Sequence, residues 1–304
     1  IARTIKGKGV EHMEDNPQWH GKAPKAELVP IIEQELESQF MIAPSIIAGD
    51  MSNLEKEVKR CEAGRADYIH LDVMDGQFVP NKTFDHSKIK ELRNLTVIPF
   101  DTHLMINEPV KHVHDYLDAG SDIITVHAEV CDESSFGEIC DTLQSKQVGI
   151  GLAINPDTEL PQWSYNFVEL LDQVIIMSVV PGKSGQKFIE STHEKIQRIF
   201  KDLKEHKFEG YIEADGGVNL ENIGMCFEDG ARSFVGGSAI IGQNDVRMII
   251  KEFRNSVLES RRSLLIKKAH ELGGTELVNN WIGLHVVGKK KDNLIRIAKE
   301  LGFQ

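Results

Sequence analysis

Cysteine is scarce in this chain of 304 residues. The four cysteines are Cys61, Cys131, Cys140 and Cys226, and no two of them form a CxxC pair. This spacing provides no paired-cysteine redox or metal motif. We therefore expect reduced, structural thiols in a cytoplasmic protein.

The chain also lacks a bilayer-spanning run and a positive net charge. No apolar run is long enough to span a bilayer, and no signal-peptide pattern is seen. The formal net charge is -12, which argues against nucleic acid and anionic membranes as partners. A phosphorylated substrate would then need a local site lined by positive or N–H groups, because the overall field is unfavourable.

From residue 41 onward, apolar or β-branched segments alternate with amphipathic ones. The alternation predicts parallel strands joined by helices, and eight strands over roughly 200–250 residues predict a (β/α)8 TIM barrel. An open doubly wound sheet is the alternative, which is disfavoured because no Gly-x-Gly-x-x-Gly follows the first strand. The strand candidates are residues 41–45, 68–73, 96–105, 123–127, 148–154, 174–180, 210–215 and 233–235.

The pattern divides the chain into three parts. Residues 1–40 do not share the alternation and form a leader, whereas residues 41–259 form the barrel domain. Residues 260–304 contain further helical patterns and form a helical C-terminal extension, to which we assign no chemistry.

Polar side chains stand at the carboxyl ends of three predicted strands, where barrel enzymes carry their chemistry. His70 and Asp72 share one face of the second strand, because strand side chains alternate. His103 lies near the end of the third strand, and Asp215 ends the seventh. If the sheet closes, these four predict a cation site for Zn²⁺, Fe²⁺, Mn²⁺ or Co²⁺. His127 ends the fourth strand and either holds such a ligand or borders the pocket.

Glycine-rich turns follow three late strands and could bind an anion through backbone N–H groups. The loops after strands seven and eight are the recurrent phosphate site of this barrel class, and the loop after strand six could close over the same anion. Tight turns without a ligand are the alternative for each glycine pair. The candidate residues are Gly182, Ser184, Gly185 and Gln186 after strand six, Gly216 and Gly217 after strand seven, and Gly236, Gly237 and Ser238 after strand eight.

Residues 41 to about 250 resemble the ribulose-phosphate 3-epimerases. Order and spacing of the family motifs are kept across the whole barrel. The matching motifs are 43–46 (APSI), 70–76 (HLDVMDG), 78–81 (FVPN), 101–105 (DTHLM), 177–179 (MSV), 185–188 (GQKF) and 215–218 (DGGV). Two departures concern the pocket: Gln77 stands where the family usually has histidine, and the loop 180–186 lacks an aromatic residue and a glycine.

The resemblance implies a role for each matching position. His70, Asp72, His103 and Asp215 match the metal ligands, and the two aspartates match the groups that move the proton. Ser45 matches a substrate-contacting serine. The methionines that match the pocket lining are Met74, Met105 and Met177.

The implied activity is a metal-dependent inversion of C3 of D-ribulose 5-phosphate to D-xylulose 5-phosphate, through an enediolate. One aspartate would take the proton and the other would return one to the opposite face. The alternatives are a 3-epimerase of a hexulose phosphate such as D-allulose 6-phosphate, and a non-catalytic sugar-phosphate-binding domain of a fusion protein. We expect the protein to bind a small sugar phosphate as its substrate. We also expect it to form a homo-oligomer.

The leader carries a second, shorter resemblance. Residues 6–10 (KGKGV) and 19–24 (WHGKAP) resemble the end of the thiamine-diphosphate-binding half of transketolases. His20 matches a histidine of that active site. The domain that would surround His20 is absent from this sequence, so we expect it to be inert and interpret residues 1–38 as a remnant of a gene fusion.

Overall fold

The computed structural model describes residues 39–271. Residues 1–38 and 272–304 lie outside the described part, and with them the transketolase-like segment and most of the predicted extension. Residues Phe40–Val257 form one compact unit, and the fold is described within it. Among residues 39–271, no helix combines the length and the apolar character needed to cross a bilayer.

Eight parallel strands form the sheet in the order β1-β8-β7-β6-β5-β4-β3-β2. An isolated parallel bridge between Ser45 and His70 joins the two ends of this order, next to β1 and β2. The predicted TIM barrel is therefore confirmed. The strands are β1 Met41–Pro44, β2 Ile69–Met74, β3 Phe100–Met105, β4 Ile123–His127, β5 Gly149–Ile154, β6 Gln173–Met177, β7 Tyr211–Asp215 and β8 Ala231–Gly236.

Helices fill most of the crossovers between the strands. The exception is the β5–β6 crossover, which is a 3-10 segment, Gln162–Leu170. The α-helices are α1 Leu54–Gly64, α2 His86–Arg93, α3 Val113–Asp118, α4 Glu133–Gln144, α5 Thr192–Glu205, α6 Ile223–Asp229 and α7 Val246–Glu271.

Local sequence explains where the helices begin and which face they bury. The Asn53 side chain accepts the backbone N–H of Lys56 at the start of α1, and Asp132 and Ser135 form a capping box at the start of α4. In α5 the buried residues recur at helical spacing, among them Ile196, Ile199 and Leu203. Each helix therefore presents an apolar stripe to the outside of the barrel.

Two strands differ from their predicted ranges by three or more residues at one end. The predicted third strand begins at Thr96, but β3 begins at Phe100, because the Arg93 guanidinium binds the carbonyl oxygens of Thr96 and Ile98 and holds the chain in a connection. The predicted sixth strand runs to residue 180, but β6 ends at Met177. Hydrophobic periodicity alone does not report such competing side-chain contacts.

The barrel interior is polar at its carboxyl-terminal end. Every residue of β2 and β3 is buried, and their register pairs Asp72 with His103. Because side chains alternate, one face of each strand packs against the helices and the other lines the barrel axis. The fold thus delivers histidines and carboxylates from several strands into one narrow interior.

Candidate active site

Four predicted side chains from three strands meet at the carboxyl-terminal end of the barrel. His70 Nε2 lies 3.4 Å from Asp72 Oδ1 and 3.6 Å from Asp215 Oδ2. His103 Nδ1 lies 3.4 Å from Asp72 Oδ1 and 3.3 Å from Asp215 Oδ2. Both imidazoles are fully buried, and the side chains of both aspartates are only 9% exposed.

The donor atoms of this group fit a divalent cation. One atom from each of the four residues lies within 4.8 Å of all the others. Ligands around a tetrahedral ion at a typical metal–nitrogen distance are separated by about 3.4 Å, close to the separations found here. His70 Nε2, His103 Nδ1 and Asp215 Oδ2 are buried and have no hydrogen-bond partner. Buried polar atoms are rarely left unpaired, so their convergence indicates that the group can hold a metal ion.

His70 is fixed from below by a buried polar network. Its Nδ1 lies 2.7 Å from Asp101 Oδ2. The Gln173 amide donates to Asp101 Oδ1 and to Thr125 Oγ1, at 2.8 Å in both cases. An Nδ1–H that donates to Asp101 leaves the Nε2 lone pair of His70 directed at the cation group, which is how metal-binding histidines are usually oriented.

His103 is fixed from the side by a second histidine. His103 Nε2 lies 2.8 Å from His127 Nε2, and the two rings lie nearly parallel, at 22° to one another, with centroids 4.9 Å apart. His127 Nδ1 lies 3.0 Å from Glu129 Oε2. Burial lowers the pKa of His127 to about 4, so this ring is neutral at neutral pH.

The charges of the site are mutually stabilised. Burial lowers the pKa of His70, but the carboxylates of Asp72 and Asp101 outweigh burial and raise this pKa well above its ordinary value. For Asp72 the effect of burial is outweighed by His70 and His103, so the pKa of this carboxyl lies below its ordinary value. Burial and the neighbouring Asp101 raise the pKa of Glu213, whose Oε2 accepts a hydrogen bond from Ser233.

Ser45 secures the orientation of Asp72. Its hydroxyl donates to Asp72 Oδ2, which leaves Asp72 Oδ1 facing the two imidazoles. The Ser45 backbone N–H in turn donates to the carbonyl oxygen of Gly236. The contact between β1 and β2 at the closing seam therefore bears directly on the site.

A pocket opens above this group, and Asp72 and Asp215 form part of its wall. Gly236 is not in its wall, and a Cβ on Gly236 would lie 2.3 Å from the Ile240 side chain. Lys183, in the loop after β6, also lies in the wall. Further wall residues that the sequence did not single out are Ile47, Val179, Pro181, Val218, Val235 and Ala239. The wall residues that the sequence did single out are Ser45, Asp72, Met74, Met105, Met177, Gly182, Ser184, Gly185, Gln186, Asp215, Gly216, Gly217, Gly237 and Ser238.

The turn after β7 requires glycine for two physical reasons. Gly216 and Gly217 have positive φ angles of 113° and 67°, which L side chains rarely adopt. A Cβ on Gly217 would lie 2.4 Å from the backbone nitrogen of Phe188. The turn therefore presents backbone to the pocket, as an anion site needs.

The loop after β6 is held over the pocket by side-chain amides. Asn81, in the loop after β2, donates to the carbonyl oxygen of Gly182 at 2.6 Å. Within the loop after β6, Gln186 donates to the carbonyl oxygens of Val180 and Lys183. Two loops that are distant in sequence thus form one rim.

Sequence reasoning missed three contributors to this region, of which Glu213 and Gln173 are buried. Glu213 shares the inward face of β7 with Asp215, and Gln173 shares that of β6 with Met177, so a period of two would have found both. Glu129 lies beyond β4 in a 3-10 turn, Ala128–Val130. No periodic signal reaches Glu129.

Comparisons with known proteins place the chain among epimerases. The model of the Ribulose-phosphate 3 epimerase family matches residues 41–241. A ribulose-phosphate 3-epimerase of Bacillus subtilis is 41% identical over 216 residues, which are 71% of this chain and 98% of that protein. The chloroplastic ribulose-5-phosphate-3-epimerase of Arabidopsis thaliana is 38% identical over 225 residues, 74% of this chain and 80% of that protein.

A comparison of folds gives a more distant likeness. A 3-keto-L-gulonate-6-phosphate decarboxylase structure from Vibrio cholerae matches with a TM-score of 0.55 at 14% identity. The match covers 73% of this chain and 98% of that one. At this identity the likeness concerns the barrel alone.

Proposed function

The chain belongs to the ribulose-phosphate 3 epimerase family and is a pentose-phosphate epimerase, and from this premise we propose that it inverts C3 of D-ribulose 5-phosphate to give D-xylulose 5-phosphate. The observation that carries the proposal is the convergence of His70, Asp72, His103 and Asp215 below a pocket with glycine turns in its wall. Two carboxylates and a cation group lie together where barrel enzymes bind substrate.

The chemical difficulty is the removal of an unactivated proton from the carbon next to a ketone. We assign this step to Asp72 and Asp215, one of which takes the C3 proton while the other returns a proton to the opposite face. The proton count balances, because one carboxyl gains a proton and the other loses one. After one turnover the two aspartates have exchanged protonation states, which suits the reverse reaction or is reset by exchange with solvent.

His70, Asp72, His103 and Asp215 would hold one divalent ion, with Zn²⁺, Fe²⁺, Mn²⁺ and Co²⁺ as candidates. When bound, the ion supplies a Lewis acid for the negative charge of an enediolate. Ser45 keeps Asp72 aligned through its hydrogen bond.

The rest of the pocket would bind and shield the substrate. We assign phosphate binding to the turns at Gly216, Gly217, Gly237 and Ser238, whose backbone can approach an anion closely. Met74, Met105 and Met177 are at most 3% exposed and would limit water near the reacting carbon. The loop from Gly182 to Gln186 would close the open side.

The test is a pair of turnover assays on the purified, metal-loaded chain. C3 inversion of ribulose 5-phosphate, followed through xylulose 5-phosphate formation, should be faster per enzyme than C3 inversion of a hexulose 6-phosphate such as allulose 6-phosphate. A preference for the hexulose phosphate would replace the proposed substrate by the longer one. Homo-oligomer formation and a cytoplasmic location stay predictions, to be tested by sedimentation and by cell fractionation.

A further inference from the structure

The two histidines of the cation group present different nitrogens to it. His70 presents Nε2 and His103 presents Nδ1. The remaining nitrogen of His70 meets the carboxylate of Asp101, whereas that of His103 meets the ring of His127. An ionised carboxylate can only accept a hydrogen bond, but an imidazole can accept one or donate one. The orientation of the His103 proton is therefore not decided by its direct neighbour.

Glu129 decides it from one step further out. Its Oε2 lies 3.0 Å from His127 Nδ1, and an ionised carboxylate has no proton to give. His127 must then carry its proton on Nδ1, which leaves a lone pair on Nε2. That lone pair requires a proton on His103 Nε2, and the lone pair of His103 is left on Nδ1. The opposite order would place two lone pairs face to face at Glu129.

Packing prevents the chain of rings from relaxing. His127 is fully buried, and its ring lies between His103 and Phe78, with centroid distances of 4.9 and 4.6 Å. The second oxygen of Glu129 accepts the backbone N–H of Asn155 at 2.7 Å. The hydrogen-bonded series of His103, His127 and Glu129 is thus held at both ends, and neither ring can flip without losing a buried hydrogen bond.

We infer that Glu129 and His127 are positioning residues that set the tautomer of His103 so that its Nδ1 lone pair points at the cation group. The inference rests on the proposed metal site. Neither residue touches substrate in this account, and both act through His103. Partners of this kind typically change metal affinity by about 10- to 100-fold when they are removed.

The experiment measures Co²⁺ affinity in matched variants of the full chain. His127→Leu removes the acceptor for the His103 N–H and should weaken Co²⁺ binding by about 10- to 100-fold. His127→Gln can place an amide oxygen near the former Nε2, and its loss should stay below about 10-fold. Glu129→Leu should weaken binding and Glu129→Gln should preserve it, because only the latter still accepts from His127 Nδ1. The Glu129 pair also serves if His127→Leu does not fold.

A control variant separates the proposal from a general loss of packing. Thr102 lies on β3 beside His103 but on the alternate face, where its hydroxyl bonds Ser121 at 2.8 Å in a buried position. Thr102→Val removes that buried hydrogen bond and should leave Co²⁺ affinity unchanged. Thermal unfolding of each metal-free variant shows which proteins are folded.

Proton NMR of the Co²⁺-loaded protein supplies a readout that packing alone would not move. Each ligating histidine with a held ring N–H gives one slowly exchanging, strongly shifted resonance, so the wild type should show two. His127→Leu should retain the resonance of His70 and lose that of His103. Two retained resonances together with wild-type affinity would overturn the inference.

The same experiment distinguishes this inference from the proposed function. A wild-type chain that binds Co²⁺ but does not invert ribulose 5-phosphate would refute the function, and the two resonances would still decide the tautomer. A wild-type chain that binds no Co²⁺ would overturn both.

Discussion

His103 Nδ1 lies 3.3 Å from Asp215 Oδ2, although their strands, β3 and β7, are separated by three intervening strands in the sheet order. Such an approach requires a closed and narrow barrel. Both atoms are buried, and neither has a hydrogen-bond partner. Most of the behaviour expected of this protein follows from that arrangement.

Removal of the metal should abolish turnover and lower the melting temperature. The reason is that an ion bound only by the folded state stabilises it, by about 2.7 kcal/mol at a free concentration of 100 Kd. Chelation followed by dialysis, metal analysis and a turnover assay would check this, with activity restored by added Zn²⁺, Fe²⁺, Mn²⁺ or Co²⁺. Full activity in protein verified to be metal-free would contradict the assigned role.

Asp72→Asn and Asp215→Asn should each reduce turnover at saturating metal by about 10²- to 10⁴-fold, because a positioned acid or base is lost. Each variant keeps one aspartate and should therefore still exchange the C3 proton of one epimer with D₂O. The epimer that exchanges should differ between the two variants. Asp141→Asn, at an exposed position on α4, is the control. Exchange of both epimers in both variants would argue against two separate carboxylates.

Metal-free protein should lose stability as the pH rises. The pKa values of His70 and His103 are raised in the fold, so the stability they contribute is complete below the unfolded value of about 6.5 and disappears through the raised values. The pKa of Asp72 is lowered, so the stability that Asp72 contributes is lost only in acid and is constant above about pH 6. Melting curves with chelator between about pH 6 and pH 9 would check the trend.

Bound metal should reverse part of that trend. An ion replaces the proton on each imidazole. Protons therefore compete with the ion for the ring nitrogen, and they compete less as the pH rises. The increase in melting temperature on adding Zn²⁺ should therefore grow with pH. An increase that is independent of pH would show that the histidines are not the groups that the ion deprotonates.

Two glycines of the phosphate turns should respond differently to alanine. Gly217 has a φ of 67° and no room for a Cβ, so Gly217→Ala should cost at least about 1–2 kcal/mol of unfolding free energy. A Cβ on Gly237 meets only Ala48, at 3.5 Å, so Gly237→Ala should be nearly neutral for stability but raise KM. Chemical denaturation and steady-state kinetics measure the two effects. An unchanged KM in Gly237→Ala would remove this turn from the phosphate site.

Asn81→Ala and Asn81→Asp should both raise KM, because each lacks the N–H that binds the carbonyl oxygen of Gly182. Asn81 is exposed, so the stability change should be no more than about 1 kcal/mol. Kinetics on the two variants check this. If both retain the wild-type KM, the rim contact between the two loops has no part in substrate binding.

Local sequence pattern accounts for the eight strands and for the inward face of each one. The order His70-Leu71-Asp72 places two polar side chains on one face in any strand, and the same holds for Asp101 and His103. Strand ends were less predictable. Arg93 binds carbonyl oxygens just before β3 and shortens it, and such a contact has no periodicity.

The sequence by itself determined the class of fold, the four residues proposed as metal ligands and the glycine turns, because each depends on side-chain alternation or on backbone angles set by nearby residues. The tertiary structure decided which atoms of those ligands face one another and which nitrogen of each imidazole is free. Those outcomes depend on partners from other strands and turns, Asp101 for His70 and the pair His127 and Glu129 for His103. A hydrogen bond across a barrel is a relation between distant segments, and it exists only once the strands have closed.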